Sequence, residues 1–171
     1  MTIDMAGIAR DSIVDGPGIR TTYFVQGCPH RCRECQNPET WDFGAGTPME
    51  TEDLADIARS NPLCRGVTFS GGEPFAQAEA LLPLALLLKD AGYEVASYTG
   101  YLYEQLAAGT QAQRELLRHI DVLIDGPFIL AQRSLELNFR GSRNQRVLNV
   151  PESLKQGKAV EETSPRWLGE Y

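Results

Sequence analysis

With 171 residues, the chain is long enough to form one globular domain with a buried core, and 42% of its residues are apolar. Its formal net charge of −7 argues against a surface for nucleic acid or anionic membranes, because phosphate binding requires clustered Lys and Arg. The sequence has no apolar run of the roughly 20 residues that a membrane-spanning helix needs and no secretory signal pattern, so we expect a cytoplasmic protein.

The predicted elements alternate strands with helices, which is typical of a parallel sheet flanked by helices. The turn Asp15-Gly-Pro-Gly18 precedes a first strand at residues 19–25, which is rich in β-branched and aromatic side chains. This strand leads directly into a loop at residues 26–37 that carries three of the four cysteines.

The three cysteines of this loop, Cys28, Cys32 and Cys35, have the spacing Cys-x3-Cys-x2-Cys. A cubane iron–sulfur cluster normally takes four cysteine ligands, so three thiolates on one loop would leave one iron free for an outside ligand. A structural zinc site is the alternative, but it usually has four closed ligands, and His30 lies too near Cys28 to complete the set easily. Cys64 stands alone, either as a fourth ligand or, more commonly for a single cysteine, as a small buried apolar side chain.

Further along the chain, Thr51 is the predicted N-cap of a helix that ends at Arg59. A second strand at residues 66–70 ends at Gly71-Gly-Glu-Pro74. The remaining predicted elements are a leucine-rich helix at residues 76–91 with Pro83 inside it, a strand at 93–98, a helical segment at 102–117, a strand at 122–124 and a short strand at 147–150. The polar stretch after Pro151 is expected to be irregular.

Every candidate functional segment directly follows a predicted strand. These segments are residues 28–35, residues 71–74, Thr99-Gly100 and Asp125-Gly126. Ligands of parallel α/β folds bind at the carboxyl ends of the strands, so we expect the four segments to meet at one rim. There Gly71 and Gly72 would expose backbone groups to a ligand, or would simply allow a tight turn or a close backbone approach. Glu73 would offer a negatively charged acceptor.

Together, the cysteine loop and the segment Ser70-Gly-Gly-Glu-Pro74 resemble the radical S-adenosylmethionine superfamily. The resemblance implies an α/β fold built as a partial TIM-type barrel, with a largely parallel sheet and flanking helices. The length predicts one domain over residues 1–171, of which the resemblance covers a core at about residues 10–150 and leaves out a polar tail at 151–171. The resemblance also implies that Cys28, Cys32 and Cys35 bind a [4Fe-4S] cluster, and that S-adenosyl-L-methionine chelates the open iron.

The same resemblance implies which residues contact S-adenosyl-L-methionine. They are Gly71, Gly72 and Glu73, together with the backbone of Glu34, Cys35 and Gln36. Thr99 and Asp125 would lie beside the cofactor's carboxylate, or they are only turn residues at strand ends. Glu34 departs from the superfamily, which commonly has an aromatic residue before the third cysteine. The implied reaction is reductive cleavage to a 5′-deoxyadenosyl radical. No side chain is then expected to act as a catalytic acid or base, and the protein's tasks are positioning and water exclusion.

Further segments narrow the resemblance to the activases of glycyl-radical enzymes. Three segments are typical of activases in general: Asp15-Gly-Pro-Gly-Ile-Arg20, Cys35-Gln-Asn-Pro-Glu-Thr-Trp41 and Ser97-Tyr-Thr-Gly-Tyr101. Two more are similar to the anaerobic ribonucleoside-triphosphate reductase-activating proteins: Asp125-Gly-Pro-Phe128 and Phe139-Arg-Gly-Ser-Arg-Asn-Gln-Arg146. The implied partners are that reductase, which would receive a glycyl radical, and an electron donor such as flavodoxin. Candidates for binding the reductase or for shaping the rim are Arg140, Arg143, Asn144, Gln145 and Arg146, although an arginine-rich segment is also typical of a solvated face.

Two other functions stay open from the sequence. A radical enzyme of the same superfamily could act on another glycyl-radical enzyme, or on a small molecule, which would require a buried substrate pocket in place of an open rim. An iron–sulfur or zinc-binding adaptor would have no catalytic activity. Arg20 and Trp41 lie in the activase-like segments, and we expect Trp41 to pack under the cysteine loop.

Overall fold

A seven-stranded sheet organises the fold in the computed structural model, which describes residues 1–169. Its four central strands are parallel: β2 (Arg20–Val25), β4 (Gly66–Gly71), β5 (Glu94–Tyr98) and β6 (Val122–Asp125). Antiparallel strands extend the sheet on both sides: β1 (Thr2–Ser12) pairs with β2, β3 (Thr47–Glu50) pairs with β1, and β7 (Arg146–Asn149) pairs with β6. The order is β3-β1-β2-β4-β5-β6-β7, so β3 and β7 form the edges.

Helices connect the parallel strands. They are α1 (Thr51–Arg59) before β4, α2 (Ala78–Asp90) before β5, and α3 (Tyr103–Ala107) and α4 (Gln111–Leu117) before β6, while α5 (Val150–Gln156) and α6 (Pro165–Leu168) follow β7. The predicted fold class is confirmed: an α/β domain with flanking helices and a largely parallel sheet, open at both edges as in an incomplete TIM-type barrel. No helix within residues 1–169 is both long enough and apolar enough to cross a bilayer.

Two predicted helices differ in detail from the structure. Glu50 occupies the N-cap position of α1, and Thr51 is its first helical residue. The segment predicted as one helix at residues 102–117 contains two, because the hydroxyl of Thr110 accepts a hydrogen bond from the backbone N–H of Gln113 and starts α4 anew. Helix α2 continues through Pro83.

The prediction for the residues after Pro151 was wrong. Asn149 caps α5 by accepting a hydrogen bond from the N–H of Glu152, Pro151 lies in the first turn, and Gly157 ends the helix in a left-handed conformation. The side chain of Trp167 in α6 is buried. The last two residues of the predicted tail, Glu170 and Tyr171, lie outside the described residues, and the predicted domain bounds stay a prediction.

Side-chain alternation gives the two faces of the central strands different surroundings. One face packs against α1, α2 and α4 and forms the main core; its strand residues include Val67, Phe69, Val95 and Leu123. The opposite face is covered by irregular chain: residues 13–18, here named the Asp15 loop, and residues 128–145, here named the wall segment. The Asp15 loop is anchored to this face because Thr68 donates a hydrogen bond to the Asp15 carbonyl (2.8 Å) and Thr22 to its carboxylate (3.1 Å).

An ion pair between a buried arginine and a partly buried glutamate lies at the amino-terminal ends of β2 and β5. Arg20 is completely buried, and its guanidinium donates to Thr68 Oγ1 (3.0 Å), the Val67 carbonyl (2.9 Å) and the Glu94 carboxylate (3.0 Å). Burial lowers the pKa of Arg20. Burial alone would raise the pKa of Glu94, but the charge and hydrogen bond of Arg20 outweigh it, and this pKa is lowered. Arg20 therefore stabilises the end of the sheet that is opposite the cysteine loop.

Replacing Glu94 by Gln tests this ion pair. At pH 7 the variant should lose about 1–3 kcal/mol of unfolding free energy, because Gln keeps an acceptor but leaves the buried guanidinium without its counter-charge. A carboxylate with a lowered pKa stabilises the fold fully above its unfolded pKa of about 4.3, and this contribution is lost as the pH falls through the folded value. In denaturant unfolding, the difference between wild type and variant should therefore shrink below about pH 4.

The matched control is Glu115→Gln, which removes a pair that α4 makes with Arg118 at the surface. It should cost less than about 0.5 kcal/mol. Equal losses for the two variants, or a Glu94→Gln effect that does not change with pH, would contradict the stabilising role of the Arg20–Glu94 pair.

Candidate functional site

A cavity of about 510 Å³ opens at the carboxyl ends of the parallel strands. Its volume is typical of small-molecule and cofactor sites, which span about 300–1,000 Å³. The predicted site residues that line it are Cys28, Cys32, Cys35, Gln36, Gly71, Gly72 and Thr99. The structure thus brings together segments that are far apart in sequence, as expected for strand ends in a parallel sheet.

The cysteine loop is fixed by backbone contacts with the chain that follows it. The N–H of Gly27 donates to the Thr40 carbonyl (2.7 Å), and that of Cys28 to the Trp41 carbonyl (3.0 Å). The Cys28 thiol is buried, whereas those of Cys32 and Cys35 are half-buried. Burial raises the pKa of the Cys28 thiol, and backbone N–H groups that follow it in the loop act in the opposite direction.

The three thiols provide the ligands that a [4Fe-4S] cluster requires. Among residues 1–169, no three His, Cys, Asp or Glu side chains are gathered so that they could hold one metal ion. In a cubane, however, each cysteine binds a different iron, so its thiolates do not converge on one metal ion. Two lining residues, Trp41 and Arg140, also carry a buried N–H group without a hydrogen-bond partner among the residues described. Free donors of this kind suit an acceptor-rich group such as a sulfide cluster.

Cys64 lies at the other end of the sheet, just before β4. Its thiol is buried and donates to the Gly66 carbonyl (3.1 Å). It is not among the residues that line the cavity. The structure therefore supports the prediction of a buried apolar cysteine and gives Cys64 no place in a cluster.

Glu73 connects three segments from a buried position. Its carboxylate, which is completely buried, accepts hydrogen bonds from His30 Nε2 (2.7 Å), Phe75 N (3.0 Å), Thr99 Oγ1 (2.9 Å) and Gly100 N (2.7 Å). These partners belong to the cysteine loop, the turn after β4 and the turn after β5. Because the carboxylate is occupied by protein donors and does not line the cavity, the geometry favours a positioning role over the predicted cofactor contact.

Gly71 and Gly72 allow the end of β4 to pack directly on the cysteine loop. A Cβ at Gly72 would overlap the carbonyl oxygen of Gly27, and one at Gly71 would lie 2.5 Å from the backbone of Val25. Gly71 also has a φ of +98°, which favours glycine. Both glycines line the cavity as well. The two interpretations of this turn, close backbone approach and exposure to a ligand, are therefore compatible.

Two other predicted cofactor residues lie outside the cavity lining. Glu34 is exposed, whereas its neighbour Gln36 lines the cavity. Asp125 is completely buried and accepts hydrogen bonds from Tyr103 N (2.8 Å) and Arg146 Nε (3.0 Å). The hydrogen bond that Arg146 donates to the Asp125 carboxylate raises the pKa of Arg146. Asp125 therefore binds the first backbone N–H of α3 and an arginine of β7, and its role is structural.

The wall segment forms part of the cavity lining, and the sequence pointed to it only through the rim candidates at its end. Lining residues from it are Phe128, Arg133, Leu135, Phe139, Arg140 and Gln145. Gln145 also folds the segment, since its side chain accepts from Gly141 N (2.8 Å) and donates to the Gly126 carbonyl (3.1 Å). The signal in the sequence was the arginine-rich run after Phe139, from which Arg140, Gly141 and Gln145 line the cavity.

Comparisons with known proteins show the family of the chain. Residues 14–148 match the family described as "4Fe-4S single cluster domain". The chain is 38% identical over 141 residues to the anaerobic ribonucleoside-triphosphate reductase-activating protein of Vibrio cholerae serotype O1, which covers 78% of this chain and 89% of that protein. The protein of the same name from Pasteurella multocida is 40% identical with the same coverage. The pyruvate formate-lyase-activating enzyme of Clostridium pasteurianum is 40% identical over 118 residues, 66% of this chain and 47% of that protein.

Replacing Glu73 by Gln should loosen the three segments that its carboxylate joins. The Gln amide would turn one NH₂ group towards protein donors, so we expect a loss of about 2–4 kcal/mol of unfolding free energy. The backbone N–H groups of Phe75 and Gly100 should exchange with deuterium faster than in the wild type. The control Glu34→Gln changes an exposed carboxylate of the same loop and should cost less than about 0.5 kcal/mol. Unchanged exchange at both N–H groups in Glu73→Gln would rule out the junction.

Proposed function

The chain belongs to the 4Fe-4S single cluster domain family and, within it, to the anaerobic ribonucleoside-triphosphate reductase-activating proteins, and we propose that it generates a glycyl radical on such a reductase. The observation that carries this proposal is the cavity that the three cysteines of the loop share with the Gly71-Gly72 turn. A cluster held by these thiolates would supply the electron for reductive cleavage of S-adenosyl-L-methionine into methionine and a 5′-deoxyadenosyl radical, which would take a hydrogen atom from a glycine α-carbon.

The chain's own residues bind, position and exclude water. Cys28, Cys32 and Cys35 would each hold one iron and leave the fourth for S-adenosyl-L-methionine. The bare backbone of Gly71 and Gly72 allows that cofactor to lie close to the sheet. Aromatic side chains around the cavity keep water from a reactive radical; they are Phe24, Trp41, Tyr98, Phe128 and Phe139. This division of tasks requires no acid or base from the protein.

The mouth of the cavity supports a polypeptide substrate. Val14 and Leu135 line the cavity and are 70% and 93% exposed. Exposed apolar side chains at a cavity mouth suit a protein surface better than a small polar molecule, which would need an enclosed pocket. We propose further that a flavodoxin-type protein donates the electron, and that the enzyme works in the cytoplasm.

A second candidate substrate is pyruvate formate-lyase. Its activating enzyme from Clostridium pasteurianum shares 40% identity with 118 residues of this chain. The chain spans 47% of that enzyme, in contrast to 89% of the reductase-activating protein from Vibrio cholerae, which favours the reductase.

The proposed function predicts a glycyl radical on the reductase. The reconstituted protein, a reductant and S-adenosyl-L-methionine should produce a doublet in the electron paramagnetic resonance spectrum of the reductase. Parallel samples should contain pyruvate formate-lyase in its place. A doublet only with pyruvate formate-lyase would show that this enzyme, and not the reductase, is the substrate. If no sample forms 5′-deoxyadenosine, the chain is a non-catalytic adaptor.

The cluster ligands can be tested one by one with alanine substitutions. Changing Cys28, Cys32 or Cys35 to Ala should lower the rate of 5′-deoxyadenosine formation by at least about 10³-fold and reduce bound iron, because three thiolates hold one cluster. The overall fold, measured by circular dichroism, should remain. Cys64→Ala is the matched control and should keep iron and activity. The ligand assignment would be overturned if cleavage of S-adenosyl-L-methionine persisted in any of the three single variants, or if it disappeared in Cys64→Ala.

A further inference from the structure

The chain beyond the matched family region packs against both segments that form the mouth of the cavity. We propose that Trp167, in α6, is a positioning residue that holds the Asp15 loop and the wall segment in place for the polypeptide substrate. This inference rests on the proposed function and extends it to residues outside the 14–148 match.

Trp167 is buried between the floor of the sheet and the wall segment. Its ring meets that of Phe139 edge to face, with centroids 5.3 Å apart. The Arg20 guanidinium carbon lies 5.4 Å from the Trp167 ring centroid, and the indole N–H donates to Glu94 (3.4 Å). Arg166 binds the same carboxylate (3.0 Å). Helix α6 is thus fastened to the Arg20–Glu94 ion pair below the cavity.

Phe139 is the contact through which Trp167 acts on the cavity wall. It lines the cavity and has a φ of +62°, a conformation that a bulky residue keeps only where its surroundings hold it. Tyr98 donates to the Phe139 carbonyl (2.8 Å), and the preceding Asn138 donates to the Leu168 carbonyl of α6 (3.1 Å). With Trp167 against its ring, Phe139 is held by the sheet on one side and by α6 on the other.

The same indole supports the Asp15 loop. A Cβ at Gly16 would lie 3.0 Å from Trp167 Cη2 and 2.7 Å from Arg20 Cδ, so the loop rests directly on these two side chains. Two residues before Gly16, the exposed Val14 lines the cavity, as Leu135 of the wall segment does. One side chain therefore lies beneath both apolar parts of the mouth.

The cofactor side of the cavity is held by other contacts. Glu73 and backbone hydrogen bonds fix the cysteine loop and the Gly71-Gly72 turn, and Trp167 is not among the residues that line the cavity. Loss of the indole should therefore misplace the mouth while the cysteines and the Gly71-Gly72 turn stay in place. The expected defect is in transfer of the radical to the protein, not in cleavage of the cofactor.

The test compares Trp167→Ala and Trp167→Phe with the wild type as reconstituted enzymes. With a chemical reductant and no reductase, all three should form 5′-deoxyadenosine at the same rate. With the reductase, Trp167→Ala should give about tenfold fewer glycyl radicals per 5′-deoxyadenosine and a KM for the reductase raised about tenfold, since displaced contacts lower rates by such factors. Trp167→Phe, which keeps a ring against Phe139, should recover part of both.

Hydrogen exchange provides a readout that does not depend on activity. In Trp167→Ala, the backbone N–H groups of the wall segment should exchange faster, and those of the cysteine loop should not. Leu168→Ala is the matched control, because this side chain is half-exposed on the same helix and its carbonyl still accepts from Asn138; it should behave as the wild type.

Two outcomes would overturn the inference. An unchanged number of radicals per 5′-deoxyadenosine in Trp167→Ala would remove the positioning role, and a parallel fall in cleavage and transfer would make the role one of general stability. If the wild type forms no 5′-deoxyadenosine, the proposed function fails instead, while the exchange data still decide whether Trp167 holds the wall segment.

Discussion

The candidate site depends on one buried carboxylate, that of Glu73. Removing a charge from water is costly unless hydrogen bonds replace the lost hydration, and Glu73 receives them from four different groups. The donors come from three separate turns, so the carboxylate is satisfied only when all three are in place. The cysteine loop, the glycine turn and the Thr99-Gly100 turn are therefore positioned together, before any ligand binds.

A second carboxylate, partly buried, has the same function at the opposite end of the sheet. Glu94 joins Arg20 at the start of β2 to Arg166 and Trp167 in α6. Between these two junctions lies the sheet face opposite the main core, where α6 packs through Trp167. Irregular segments cover this face, and they need polar anchors such as Thr22 and Thr68 because they have no apolar helical stripe to bury. The cavity is the space that these segments leave over the carboxyl ends of the strands.

Local patterns predicted the central strands, the main helices and the cysteine loop, because each is specified by neighbouring residues. The partners of Glu73 were not predictable in this way: His30 and Thr99 lie 43 and 26 positions away. Strands β1 and β3 were not predicted; β3 contains Pro48, which an edge position tolerates. The wall segment has no periodic pattern at all, and its place follows from hydrogen bonds of Gln145 and from Trp167, a side chain in a stretch expected to be irregular.

The open mouth of the cavity follows from the chemistry that the site is proposed to perform. A radical that abstracts hydrogen from carbon must be kept from water, yet Val14 and Leu135 leave an apolar edge exposed to it. A bound polypeptide would bury this edge, at a gain of about 25 cal/mol per Å² of apolar surface, and would close the cavity in the same event. Substrate binding and water exclusion would then be one step, because the substrate itself supplies the missing part of the wall. Such a wall works only if the chain's own part is held rigidly, which is what the packing of Phe139 between Tyr98 and Trp167 provides.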